Sequence, residues 1–257
     1  MDNKKYELTE ESIEIDGHKL FRIRALKDFD GVEKGDLGGY VESESNLSHA
    51  GNCWIYDNAK CYGYSELCDN SKLFDNSELY DNACMYDNSS ADRTSKIYGG
   101  ASIEDNAIIS NSHIYGKSII CDDARICTFS MVSDNARVCG SSIICDNSEI
   151  YGNAEIDGLS MIEQTEIYGN IKISNARITC AVLSEPNSVI VVSNIGSRND
   201  STTFYKQDTG IRVMCGCFEG TIKEFKKTVL KTHKDLDNRI YKKQYLKTIR
   251  YAKRMLK

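Results

Sequence analysis

The amino-acid sequence predicts an all-β solenoid of about seven triangular coils, closed by a small C-terminal α+β module. Three observations predict it. An aliphatic residue returns every six residues over most of the chain, a small residue stands two places before it, and two turn-forming residues follow two places after it. A period of six fits neither an amphipathic helix nor a plain strand, so it serves a larger repeat.

The repeat runs at steps of six from Ile55, Cys61 and Leu67 to Ile109. A five-residue step leads to Ile114, steps of six continue to Ile162, and a second five-residue step gives Ile167 and then Ile173. The small partners include Ala59, Ser65, Ser71, Ala83, Ser118 and Ala136. Strand alternation points the small and the aliphatic residue to one side, and the Asp-Asn, Gly-Asn and Gly-Gly pairs that follow tolerate positive φ at a tight corner. Three strands and three corners close one coil. Twenty-one hexads make seven coils, which strand spacing of roughly 4.8 Å stacks into a prism about 35 Å long.

This register resembles the hexapeptide-repeat family over roughly residues 41–180. The resemblance, and not the spacing, implies a left-handed parallel β-helix and assembly as a homotrimer. Residues 1–40 are expected to cap the first coil: "HKLFRIRAL" (18–26) alternates like a strand, and "KGDLGGYVE" (34–42) is a Gly-rich turn into the repeat. That opening is similar to those of uncharacterised phage and prophage hexapeptide proteins. After Ile178 the hexads are expected to dissolve, and residues 187–257 form a strand-and-helix module that resembles a tail recurring on such proteins. It is expected to hold three short strands, with turns at Gly196-Ser197 and at Asp208-Thr209-Gly210. A helix capped by Thr221 and Glu224 follows, and a second from about Leu236 carries Tyr241, Tyr245, Ile249, Ala252 and Leu256 on one stripe.

Because every third hexad stacks on the one before, the outward residues sort into faces. One face carries Tyr62, Tyr80, Tyr98, Tyr115, Ser133, Tyr151 and Tyr168. The others mix Tyr56, Phe74, Cys127 and Cys145, or Cys68, Tyr86, Cys121 and Cys139. A tyrosine ladder on one face is either a self-supporting surface stack or the place where a subunit or flat ligand docks. Outward Ile108, Ile143 and Met161 on a neighbouring face suit burial in a trimer seam.

Composition narrows the chemistry. The chain has 257 residues, a net charge of −6, no apolar run of membrane length and no apolar leader, so a cytoplasmic protein without a membrane partner is expected, in the host cytoplasm if a phage encodes it. Its eleven cysteines include no Cys-x-x-Cys pair, so neither a disulfide framework nor a metal site is expected. Residues 223–257 hold thirteen Lys and Arg against three Asp and Glu, a basic tail on an acidic body. Such a tail is expected to be the solvated side of amphipathic helices, with nucleic acid not the expected partner.

Many hexapeptide-repeat proteins are acyltransferases with a histidine base, and His113, outward beside Tyr115, is the candidate if this chain is one. His49 is expected to be a hydrogen-bonded internal histidine. No loop excursion builds an acceptor pocket, and no phosphate loop or nucleophile elbow occurs, so the leading expectation is a non-catalytic binder with no cofactor. On its resemblance to phage proteins, it is expected to sequester a small nucleotide-like ligand, a candidate bacterial immune signal, at trimer interfaces. Tyr80, Tyr98, His113 and Tyr115 would supply stacking, and Arg125, Arg137 and Arg198 phosphate donors. The other alternative is a structural protein or nucleic-acid mimic, whose acidic edges would be rows such as Asp57 and Asp75 or Asp69, Asp87 and Asp105.

Overall fold

The computed structural model describes residues 4–234 and 239–256. Strands β1 (Tyr6–Ile15) and β2 (His18–Ala25) form an antiparallel hairpin, and β3 (Leu37–Val41) pairs antiparallel with β2 on one edge and parallel with the coil strand Lys60–Cys61 on the other. β3 thus turns the hairpin into the first rungs of the solenoid. Its Gly39 leaves no choice of residue, because a Cβ there would sit 2.3 Å from the Ala59 carbonyl oxygen.

The short coil strands, β4 to β26, run from Trp54–Ile55 to Val182–Leu183 and stack in register into three parallel sheets. One has eight strands, one has seven, and the third reaches eleven by including β1–β3. The solenoid therefore has about eight turns, one more than the hexad count. The difference lies at its far end, where two further five-residue steps carry the coil from Ile173 through Ile178 to Leu183. A five-residue step drops one corner residue: Asn111, Gln164, Asn175 and Cys180 each turn the chain alone in the left-handed region, at φ 51, 48, 56 and 51°. The backbone still closes a triangle although the period of six is lost.

The interior is the expected aliphatic column, with Leu67, Leu79, Ile97, Ile114, Val132, Ile150 and Ile167 all fully buried and with Ala and Ser between them. Ser71, Ser77 and Ser89 donate to the carbonyl three residues earlier, at 2.6–2.7 Å, so their buried hydroxyls are satisfied.

The corners are stapled as well as turned. Asp57, Asp75, Asp122 and Asp134 adopt φ between 52 and 59°, and each Oδ2 accepts the N–H of the corner residue one coil on, at 2.9–3.2 Å. Asn amides form ladders beside them. Asn70 Nδ2 donates to Asn88 Oδ1, Asn88 to Asn106 and Asn106 to Asp123 at 3.1–3.2 Å, and Asn135, Asn153 and Asn170 repeat the pattern. The acidic rows that suggested a nucleic-acid mimic are thus spent in part on the turns.

Beyond Leu183, four antiparallel strands form one sheet, where three were expected: β27 (Val189–Ile195), β28 (Asp200–Gln207), β29 (Gly210–Cys215) and β30 (Phe218–Thr221). The extra strand follows a turn at Gly216, φ 56°, inside the "CGCFEGT" stretch. Helix α1 (Ile222–Thr232) begins with the expected capping box, Thr221 Oγ1 accepting from the Glu224 N–H at 3.3 Å and Glu224 accepting from the Thr221 N–H at 2.8 Å. Helix α2 is described over Arg239–Met255, and the expected start at Leu236 lies outside the described residues. Phe225 and Val229 of α1 and Ile249 and Ala252 of α2 pack with Phe204 and Val213 of the sheet in a separate core.

Both ends of the aliphatic column are closed. At the far end Tyr205 is fully buried, donates its hydroxyl to the Thr179 carbonyl at 3.0 Å, and Thr203 accepts the Arg177 N–H at 3.1 Å. At the near end Tyr6 and Trp54 seal the column, and fully buried Lys5 donates to the Cys53 carbonyl at 2.8 Å. Cys121 and Cys139, outward on neighbouring coils, form a disulfide that was not expected. Parallel stacking places equal positions of adjacent coils side by side, within reach of a bond. The other nine cysteines are free.

Candidate ligand-binding face

The eleven-stranded sheet carries the tyrosines, and their rings stack. Tyr62, Tyr80, Tyr98 and Tyr115 follow one another with centroids 5.1, 4.9 and 5.0 Å apart and planes within 6° of parallel, and Tyr151 and Tyr168 resume at 5.0 Å. The stack exists because identical outward positions of parallel coils lie one strand spacing apart. Its start is covered by the chain's own N-terminus. Leu20 packs with Tyr40 and Tyr62, Ile13, Ile15 and Tyr80 line the same cluster, and His18 lies 5.3 Å from Tyr62. Tyr62 is sealed, Tyr80 stands at the edge of this cover, and Tyr98 and Tyr115 are half-buried in the stack beyond it.

Beside the rings runs the column Lys60, Glu78, Lys96, His113, Met131, Glu149, Glu166. Glu78 bridges Lys60 and Lys96 at 3.2 Å each. His113 follows, and its imidazole is held below the ordinary 6.5, first by burial and then by the Lys96 ammonium. It is therefore mainly neutral at neutral pH, with a nitrogen lone pair available. The hydroxyl of Tyr80 is pushed up to about 12, by burial first and then by the neighbouring Tyr98. Tyr151 rises to about 12 through its short hydrogen bond to Glu166 and then through burial.

Of the expected site residues, Tyr80, Tyr98, His113 and Tyr115 lie together on this face. The arginines do not join them within one chain. Arg125 lies on the eight-stranded sheet, and Arg137 lies on the seven-stranded sheet with Nη2 3.2 Å from Cys121 Sγ. Arg198 lies exposed in the turn between β27 and β28. A cluster of cations lies elsewhere again: Lys234, Arg239, Lys242, Lys243 and Arg250, with His233, line a cavity of about 420 Å³ at the helix pair. The charge of the tail signals this cluster, but its convergence on one hollow needs the helices in place.

The remaining histidines have structural surroundings. His49 accepts the Lys5 N–H at 3.2 Å and stacks on Tyr6 at 4.4 Å, and His18 Nδ1 lies 3.0 Å from the Glu42 carboxylate. Cys121, Asp122 and Cys139 converge within 4.8 Å, but the two sulfurs are bonded to each other and offer no thiolate to a metal.

No family model matches the chain. A 69-residue stretch is 44% identical to the uncharacterized acetyltransferase YdcK of Escherichia coli (strain K12) and covers 23% of this chain. The match spans only about a fifth, 21%, of that protein's length. Together with the parallel stacked coils it fits the hexapeptide-repeat superfamily. No helix among the described residues is long and apolar enough to cross a membrane.

Proposed function

We propose that this chain is a non-catalytic binding protein that holds a small, flat, nucleotide-like ligand against its tyrosine face, at the seams of a homotrimer. The observation that carries this is the stack itself: Tyr98 and Tyr115 are parallel rings on a rigid sheet, beyond the cover of the N-terminal hairpin. Rigid aromatic rings recognise planar ligands at little entropic cost. A trimer accounts for the scattered arginines, because a seam would bring Arg125 or Arg137 of one copy towards the tyrosines of the next. Half-buried Ile108, Ile143 and Met161 suit the same seam. In its narrowest form the ligand is a nucleotide messenger of bacterial immunity, captured on behalf of a phage.

The test is the native mass together with mass spectrometry of whatever heat releases from the purified protein. A trimer that yields an unchanged nucleotide supports the proposal. A monomer that yields no ligand, after exposure to cyclic nucleotides and NAD-derived messengers, rejects it.

Acetyl transfer is the second reading, favoured by the partial likeness to the E. coli protein and by a neutral His113 on the surface. It requires turnover of acetyl-CoA that His113→Ala abolishes. Against it stands the regularity of the coils, which step by five or six residues and form no excursion to shape an acceptor pocket.

A further inference from the structure

The tyrosine ladder has one missing rung. Between Tyr115 and Tyr151 the outward position is Ser133, whose side chain is buried between its neighbours and fills only the floor of the gap. The result is a cavity of about 270 Å³ lined by Tyr115, Met131, Ser133, Asp134, Glu149 and Tyr151. Elsewhere in the ladder consecutive rings stand about 5.0 Å apart and within 6° of parallel. Tyr115 and Tyr151 are two coils apart, so a single planar ring between them would meet both at the separation the protein uses for its own tyrosines.

The rim of this gap is acidic. Asp134 spends one oxygen on the Gly152 N–H at 3.0 Å, and Glu166, just below, is held by the Tyr151 hydroxyl. Glu149, in the column beside the rings, has no hydrogen-bond or ion-pair partner among the described residues, and no Lys or Arg lines the cavity. The floor and walls therefore select flatness, and the rim selects a ring edge that donates protons rather than one that carries negative charge.

We propose, on the ligand-binding reading of this face, that the gap at Ser133 is a one-ring slot for a planar nitrogen heterocycle of the nucleobase type, stacked between Tyr115 and Tyr151 with an N–H edge towards Glu149. The slot is complete within one chain. Any phosphates of such a ligand lie outside it, away from Glu149 and Asp134. Met131 closes one side with a thioether that adapts to the ring it meets.

The experiment is calorimetric titration with adenosine, a nucleobase probe without phosphate, and with caffeine, a planar purine that lacks any N–H. Adenosine is expected to bind at one site per chain, and caffeine more weakly. Ser133→Tyr supplies the missing rung and is expected to weaken adenosine binding by about tenfold or more, as loss of base stacking on two rings requires. Glu149→Gln is expected to weaken adenosine and leave caffeine unchanged. Should Ser133→Tyr disturb the fold by circular dichroism, Tyr151→Ala, which removes one wall, gives the same loss. Adenosine binding of equal strength in the wild type, Ser133→Tyr and Tyr151→Ala overturns the slot while leaving a nucleotide site elsewhere on the face. No adenosine binding by the wild type also overturns it. Adenosine binding that Ser133→Tyr abolishes, in a protein that is monomeric and retains no nucleotide, supports the slot and rejects only the trimeric reading.

Discussion

At the scale of single residues, His113 and the corner aspartates show how local surroundings set measurable properties. The His113 value is depressed in the folded protein, so between that value and 6.5 the unfolded chain binds more protons. Its contribution to stability therefore rises with pH through that window and is constant above it. An NMR titration is expected to give a midpoint below 6.5, and Lys96→Ala to raise it only part of the way, because burial is the larger cause. A midpoint at or above 6.5 contradicts this picture. Asp75 makes the second case, since it holds φ 58° and accepts the Arg93 N–H at 2.9 Å. Asp75→Ala loses the side chain that tolerates this backbone and the hydrogen bond, about 2 kcal/mol together. Asp75→Asn keeps both and is expected to cost under about 0.5 kcal/mol, read from urea midpoints at constant slope. The corner residues were legible in the sequence as turn formers. Their second task, accepting the N–H of the next coil, was not, because it depends on a residue 17 or 18 places away.

At the scale of elements, the two end caps decide whether the coil strands remain paired, since an open solenoid end exposes unpaired strand edges. The far cap rests on Tyr205. Tyr205→Ala is expected to cost about 3–5 kcal/mol by opening a cavity between β28 and the last coils, whereas Tyr205→Phe loses about 1 kcal/mol with its hydroxyl bond. Hydrogen exchange provides the check: the alanine variant should lose protection first in the strands around Ile178 and Leu183. Uniform loss along the coil would refute a local cap. These last strands were poorly legible. Cys180 turns the chain alone, so the period of six disappears while the triangle persists. The fourth strand of the module was hidden for a related reason: its four residues sit among Gly and Cys, which read as turn. Gly216 and Cys217 make that turn, with Gly216 in the left-handed region.

At the scale of the molecule, each coil meets only the coils before and after it, so the protein is close to one-dimensional. Removing residues 88–105 joins Asp87 to Asn106 at equivalent corners and deletes one whole turn. The shortened chain is expected to fold, with Tyr80 stacked directly on Tyr115, and to retain the near-ultraviolet dichroism of coupled tyrosines. Removing only residues 88–93 rotates everything beyond by one face, and that signal should fall. If the full-turn deletion fails to fold, the coils are not interchangeable. The faces themselves were legible from spacing alone, because stacking every third hexad is simple counting, and the count placed Tyr80, Tyr98 and Tyr115 on one sheet. What counting missed is that the N-terminal hairpin overlies the first of these rings, and that one absent ring leaves a space rather than a blemish. Both depend on what lies beside a residue in space. The asparagine ladders give the solid a direction. Each amide passes its hydrogen to the next coil towards the C-terminus, so the dipoles add along the edge as in a string of like-oriented magnets. The string that begins at Asn70 ends on Asp123, a carboxylate with no amide hydrogen to pass on. The prism has a head and a tail written into its edges, and two copies lying side by side are electrically distinguishable when parallel and when reversed.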